Sequence, residues 1–143
     1  MSEVAFVVDA SVTVAWVFRE TANAYATGVL QELTRLEAAA PSIWPLQVAN
    51  ALLTAQHKGK LTVPECEYFL SLLSQLPIHV EHETPEHVWD QVLGLAQHYH
   101  LTVYEAAYLD LAMRLARPLA TQDPSLRQAA EELGLFYEPA QAS

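Results

Sequence analysis

Short apolar runs alternate along this chain with longer segments of helical periodicity. Residues 4–8 are apolar at every position, which is typical of a strand buried on both faces of a parallel sheet. Three further short segments, 78–80, 118–121 and 135–137, also predict strands. The pattern therefore predicts several buried strands separated by helices.

The helices are predicted from apolar periodicity and from the residues at the ends of each segment. Thr84-Pro85-Glu86 is typical of a helix start, with an N-cap threonine, proline at the first position and an acid in the first turn. Pro45 suits the first turn of a helix, and Gly59 and Gly134 suit helix ends. The predicted helices span 10–18, 21–39, 46–58, a segment opening at 63, 85–99, 103–115 and 124–133.

Strands that alternate with helices predict an α/β fold in three α/β/α layers around a mainly parallel central sheet. The chain has 143 residues, close to the commonest size of a single domain. We expect one domain over 1–139 and a loose tail over 140–143.

Composition and charge narrow the classes of function. The formal net charge of −10, with seven Lys and Arg residues, argues against a nucleic-acid binder that relies on a broad basic surface. It does not exclude a nuclease, because bound divalent cations offset clustered carboxylates. A lone cysteine excludes a disulfide scaffold, and no segment predicts a signal peptide or a membrane span, so we expect a cytoplasmic protein without membrane association.

Histidine and glycine patterns exclude two other kinds of site. None of the six histidines belongs to a His-Glu-x-x-His zinc motif, and we expect them at exposed loops and helix ends. Four glycines form no phosphate-binding loop, so a P-loop or dinucleotide fingerprint is absent from the sequence.

Two aspartates directly follow predicted strands. Asp9 ends the first strand, and Asp123 lies just after the strand at 118–121. Ligands of open parallel sheets bind beyond the carboxyl ends of the strands, so the two acids should meet at one edge. Converging carboxylates suit hard divalent cations, although each aspartate alone is also explained as a helix N-cap.

Four segments in register carry a resemblance to a known family. They are Val7-Val8-Asp9-Ala10-Ser11-Val12, Pro41 through Leu52, Leu101 through Leu109, and Pro118 through Leu126. Over nearly the whole chain, these segments resemble the PIN-domain family, specifically the short toxin ribonucleases of VapC type.

The resemblance implies an acidic cluster that binds one or two Mg²⁺ or Mn²⁺ ions and hydrolyses RNA phosphodiesters. On this basis the catalytic and metal-binding residues are Asp9, Glu105 and Asp123. Residues implied to support the site are Ser11, Gln47, Asn50 and Thr121. The resemblance also implies an RNA substrate, a homodimer and inhibition by a cognate antitoxin protein.

Two positions depart from the family pattern. Gln47 stands where the family usually has glutamate, and Glu105 stands where it usually has aspartate. The cluster then carries three formal negative charges instead of four, which predicts weaker metal binding. A degenerate PIN domain that acts as a binding or regulatory module is therefore an alternative, and an acid-lined phosphatase is a third hypothesis.

Overall fold

The computed structural model describes residues 3–18 and 23–140, and in these residues four parallel strands form one sheet. The strand order is β3-β2-β1-β4, so β1 and β2 lie at the centre. The strands are β1 Val4–Val8, β2 Glu37–Pro41, β3 Ile78–Glu81 and β4 Leu119–Ala120.

Helices connect the strands and cover the sheet. They are α1 Ala10–Ala15, α2 Ala24–Glu32, α3 Ile43–His57, α4 Val63–Leu73, α5 Pro85–His87, α6 Leu93–Tyr99, α7 Val103–Leu115 and α8 Pro124–Glu132. A π-helical turn, Val88–Val92, joins α5 to α6. None of the helices in the described residues is long and apolar enough to span a membrane.

The central strand β1 divides the hydrophobic core into two layers. Val7 packs into a cluster with residues of α3, α4, α6, α7 and α8, while Phe6 and Val8 pack with α1 and α2 on the other face. All three side chains are fully buried, as the continuous apolar run predicted. The predicted α/β fold, with a parallel sheet between two helical layers, is confirmed.

The predicted helix over 21–39 is wrong in its second half. The structure ends α2 at Glu32 and begins β2 at Glu37; Thr21 lies outside the described residues. Ala38 to Ala40 are good helix formers in isolation, but here they are fully buried and paired between β1 and β3. Burial in the sheet overrides the weak intrinsic preference of alanine for helix.

Other differences concern the ends of elements. The helix predicted at 46–58 begins three residues earlier, at Ile43, although Pro45 does lie in its first turn. The strand predicted at 135–137 is reduced to one parallel bridge between Leu119 and Phe136. In the predicted tail, Ala140 donates its N–H to Glu32 Oε1 at 3.0 Å, and 141–143 lie outside the described residues.

Because all four strands are parallel, their carboxyl ends lie along one edge of the sheet. Asp9 follows β1 and Thr121 follows β4 at adjacent positions on this edge. Ser42 follows β2, and Glu83 lies two residues beyond β3, further along the same edge. Polar groups that are distant in sequence therefore lie together at two neighbouring positions on this edge, one beside β1 and β4 and one beside β2 and β3.

Candidate functional site

A cavity of about 180 Å³ lies where β1 and β4 end. Three acids from separate parts of the chain, Asp9, Glu105 and Asp123, face it. The complete lining is Asp9, Ala10, Ser11, Gln47, Glu105, Tyr108, Asp123 and Leu126. We call this group the acid-lined cavity; it brings together the three residues predicted to bind metal.

Asp9 is buried, 3% exposed, and is also the N-cap of α1. Its Oδ1 accepts hydrogen bonds from Ser11 Oγ at 2.7 Å and from the Val12 N–H at 3.1 Å. Its Oδ2 accepts a hydrogen bond from the Thr121 hydroxyl. Burial raises the pKa of Asp9 to about 6, although these three donors oppose the rise. The carboxyl is held firmly but is costly to ionise.

Two hydroxyls link Asp9 to the segment that carries Asp123. Thr121 donates to Asp9, and its Oγ1 accepts the Asp123 N–H at 3.0 Å. Ser11 donates to Asp9, and its Oγ accepts the Gln122 N–H at 2.9 Å. The predicted support residues Ser11 and Thr121 therefore fix how the end of β1 lies against the end of β4.

Asp123 caps α8 in the way expected from Pro124, with its Oδ1 accepting the Leu126 N–H at 3.0 Å. This bond uses one oxygen and leaves Oδ2 without a hydrogen bond from the backbone of α8. The structural role of Asp123 and a role in the cavity are therefore compatible.

Glu105 forms a capping box at the start of α7. Its Oε1 accepts the Thr102 N–H at 2.8 Å, and the Thr102 hydroxyl accepts the Glu105 N–H at 3.0 Å. Burial raises the pKa of Glu105, and a hydrogen bond with the Asp123 carboxyl and the charge of Asp123 contribute to the rise. Two carboxyl groups can share such a bond when one of them carries a proton. A cation between the two carboxyl groups would relieve their repulsion in the same way.

Gln47, on α3, faces the same cavity and accepts a hydrogen bond from the Tyr108 hydroxyl to its Oε1 at 2.5 Å. Tyr108 is a lining residue that the sequence analysis missed. Its position three residues after Glu105 on α7 was the available signal, because such residues share a helix face. Asn50, also predicted to support the site, lies on the exposed surface of α3 and does not line the cavity.

The donor chemistry of the cavity suits Mg²⁺ or Mn²⁺, because both prefer carboxylate and carbonyl oxygens. In the part of the chain that the structure describes, no Lys, Arg or His side chain forms an ion pair with the three acids. Within residues 3–18 and 23–140, however, no three His, Cys, Asp or Glu side chains lie close enough to hold a metal ion as they stand. The ligand types fit a divalent cation, and a closed coordination shell requires the carboxylates to draw together.

A second group of buried acids lies further along the same edge, and we call it the paired cluster: Ser42, Glu83, His87, Asp110 and Arg114. The Asp110 carboxylate accepts from His87 Nε2 at 2.8 Å and from Arg114 Nε at 2.9 Å. Glu83 accepts from Ser42 Oγ at 2.7 Å, and its Oε1 lies 4.0 Å from Arg114 Nη2. The prediction that the histidines are exposed is wrong for His87, whose side chain is 19% exposed because it packs against Asp110.

Comparison with known proteins supports the fold. No protein-family model matches the chain, and no curated protein matches it. Among solved structures, the chain is similar to the crystal structure of PAE2754 from Pyrobaculum aerophilum, with a TM-score of 0.69 and 23% sequence identity. The match covers 90% of this chain and 86% of that one. At this identity the similarity establishes the fold and no more.

Proposed function

We propose that this chain is a metal-dependent endoribonuclease in which Asp9, Glu105 and Asp123 bind Mg²⁺ or Mn²⁺. The observation that carries the proposal is that these carboxylates, from three distant segments, line one cavity and form no ion pair with a basic side chain among residues 3–18 and 23–140. Neighbouring carboxylates repel one another, and a bound cation would relieve that repulsion.

Each acid contributes differently to this site. Asp9 is held by the Thr121 and Ser11 hydroxyls, so its position is fixed before any ligand binds. Asp123 has one oxygen committed to the cap of α8, and Glu105 has one committed to the cap of α7. Their remaining oxygens are the groups that would approach a cation. When bound, the cation lowers the pKa of a water molecule and offsets the charge of the phosphate.

The resemblance to VapC-type toxins supports RNA as the substrate. It also supports a cytoplasmic homodimer, controlled by a cognate antitoxin, as the form in which the protein works. The chain has a net charge of −10, so attraction of RNA would depend on the cation more than on basic side chains.

The proposal is tested by measuring cleavage of a random-sequence pool of single-stranded RNA in Mn²⁺ and in excess chelator. Asp9→Asn and Asp123→Asn remove a charge and keep an oxygen for capping α1 and α8. Circular dichroism checks that Asp9→Asn, which loses the acceptor of the Thr121 hydroxyl, still folds. The matched control is Asp90→Asn, at an exposed position of the π-helical turn. Equal cleavage by the wild type in chelator contradicts the metal mechanism.

A second candidate function is a degenerate PIN domain that acts as a binding or regulatory module. It is favoured by two observations: Gln47 replaces a carboxylate and is engaged by Tyr108, and Glu105 is engaged by Thr102. Under this hypothesis, Gln47→Glu combined with Glu105→Asp creates Mn²⁺-dependent cleavage that the wild type lacks. Efficient wild-type turnover at millimolar Mg²⁺ contradicts it.

A further inference from the structure

The Tyr108 hydroxyl fixes the orientation of the Gln47 side chain. Burial and the nearby charge of Asp9 raise the pKa of Tyr108 far above neutrality, so the hydroxyl keeps its hydrogen. The Ala10 backbone amide also lies against this hydroxyl and, as a donor, cannot accept that hydrogen. The acceptor is Gln47 Oε1, at 2.5 Å.

The opposite amide orientation is disfavoured by the same contacts. If Gln47 turned its NH₂ group toward Tyr108, the tyrosine hydrogen would lose its acceptor at a side chain that is 2% exposed. Leaving a buried donor without an acceptor is among the more costly errors in a protein interior. Oε1 is therefore directed at Tyr108, and the planar amide leaves Nε2 on its other side.

Gln47 Oε1 uses one lone pair to accept the Tyr108 hydrogen, so the N–H groups of Nε2 are the part of this amide that is not yet engaged. Gln47 lines the acid-lined cavity and is partly exposed, and in the described residues its Nε2 has no hydrogen-bond partner. An N–H group cannot bind a cation, because it has no lone pair to offer. It is, however, a donor suited to a phosphate oxygen.

We infer that Gln47 binds a phosphate oxygen of the RNA substrate through its Nε2–H group, while its Oε1 stays bound to the Tyr108 hydroxyl. This inference rests on the proposed function, since it names the role of one residue in that site. A neutral glutamine at position 47 suits a cavity lined by three acids. An arginine or lysine here would pair with Asp9, Glu105 or Asp123, and a glutamate would repel the phosphate. A neutral donor does neither.

The experiment separates cation binding from substrate binding in three variants. Gln47→Met has a similar shape without a donor, Gln47→Glu adds a carboxylate, and Gln56→Met is the matched control on the same helix outside the cavity. Mn²⁺ affinity is measured by isothermal titration calorimetry. Affinity for a fluorescent random-sequence RNA pool in Mn²⁺ is measured by anisotropy in the first seconds after mixing, and kcat and KM are measured separately.

Gln47→Met is expected to bind Mn²⁺ within about twofold of the wild type and to bind RNA about tenfold or more weakly, as for a lost hydrogen bond to a charged group. KM rises more than kcat falls, whereas Gln56→Met changes neither. Gln47→Glu is expected to bind Mn²⁺ more tightly and RNA more weakly.

Several outcomes overturn the inference. It is wrong if Gln47→Met weakens Mn²⁺ binding as strongly as it weakens RNA binding, or if Gln47→Glu binds RNA better than the wild type does. It is also wrong if the wild type binds RNA and Gln47→Met binds it equally well. A wild type that binds RNA in Mn²⁺ without cutting it contradicts the proposed ribonuclease activity instead, and one that binds no RNA overturns both.

Discussion

The acid-lined cavity and the paired cluster occupy the same edge of one sheet and share helix α7, but the buried carboxylates in them have different hydrogen-bond partners. In the paired cluster, Asp110 contacts both His87 and Arg114. In the cavity, Asp9 is equally buried but receives hydrogen bonds from neutral donors alone among the described residues.

The comparison suggests two roles for acidic side chains: those of the paired cluster stabilise the fold, and those of the acid-lined cavity are positioned to bind a ligand. In the paired cluster, the hydrogen bond between His87 and Asp110 joins α5 to α7, and Arg114 offsets the charge of the Asp110 carboxylate. Burial raises the pKa values of Asp9, which is fully enclosed, and of Glu105, which is partly enclosed, and no basic side chain among the described residues opposes the rise. Such acids gain from an added cation.

Removing Asp110 from the paired cluster should produce the largest effect on stability. Asp110→Ala leaves His87 and Arg114 without their carboxylate, and a broken buried pair costs about 3–5 kcal/mol. Urea unfolding at pH 7 measures this loss, with Asp90→Ala as the exposed control. A loss no larger than that of the control would show that the paired cluster is not a structural ion pair.

Removing a charge from the acid-lined cavity should act on chemistry instead. Asp9→Asn and Asp123→Asn are each expected to lower Mn²⁺-dependent RNA cleavage by about a hundredfold or more, the scale on which metal sites respond to altered ligands and their supporting groups. Initial rates at saturating RNA give the comparison. Arg114→Met, in the paired cluster, should leave these rates within about threefold if the two regions are independent.

Asp9→Asn should also stabilise the fold in a pH-dependent way. The folded-state pKa of Asp9 is about 6, against an ordinary value of 3.8, so folding favours the protonated form. The free energy of unfolding therefore falls as pH rises from about 4 to about 6 and is level above that. The difference between the two pKa values corresponds to a loss of about 3 kcal/mol in the free energy of unfolding. Asp9→Asn cannot ionise at this position and therefore does not undergo that loss.

Unfolding measured in chelator at pH 8 and pH 4 tests this prediction. Asp9→Asn should be about 1–3 kcal/mol more stable than the wild type at pH 8 and no more stable at pH 4. A gain of the same size at both pH values would mean that ionisation of Asp9 is not the cause.

The smallest expected effect is stabilisation by the cation itself. At about ten times its dissociation constant, Mn²⁺ should add about 1.4 kcal/mol, or roughly 3–5 °C in Tm. Because Asp9 and Glu105 have raised pKa values, protons compete with the cation, and the shift should shrink as pH falls below 6. Differential scanning fluorimetry at pH 7.5 and pH 5 measures it, and an equal shift at both values would contradict binding by these acids.

Much of the fold could be predicted from local signals in the sequence. The apolar run at 4–8 and the helix at 103–115 correspond to elements with the predicted bounds. The helix predicted over 85–99 starts after Thr84 as expected, but a π-helical turn divides it into α5 and α6. The strand β2 could not be predicted, because its alanines acquire their strand conformation from two neighbouring strands that are distant in sequence. Pairing with distant strands is not visible in the local sequence of the segment.

The site shows the same division between local and distant information. Asp9 and Asp123 were predictable because Asp9 directly follows β1, Asp123 lies three residues beyond the end of β4, and parallel strands end at one edge. The contact between Tyr108 and Gln47 was not, since it joins helices separated by 61 positions. The hydrogen bond between His87 and Asp110 could not be predicted for the same reason, because the two residues are 23 positions apart.

The π-helical turn Val88–Val92 has a consequence for how the length of this chain can vary. A π-turn accommodates one residue more than a regular turn, and the outward-facing Asp90 lies within it. Omitting Asp90 would let α5 and α6 join as one ordinary helix, with His87 still opposite Asp110 and Val92 still in the core. In homologous chains that are one residue shorter, we expect the deletion at this turn, where it would change neither the sheet nor the acid-lined cavity.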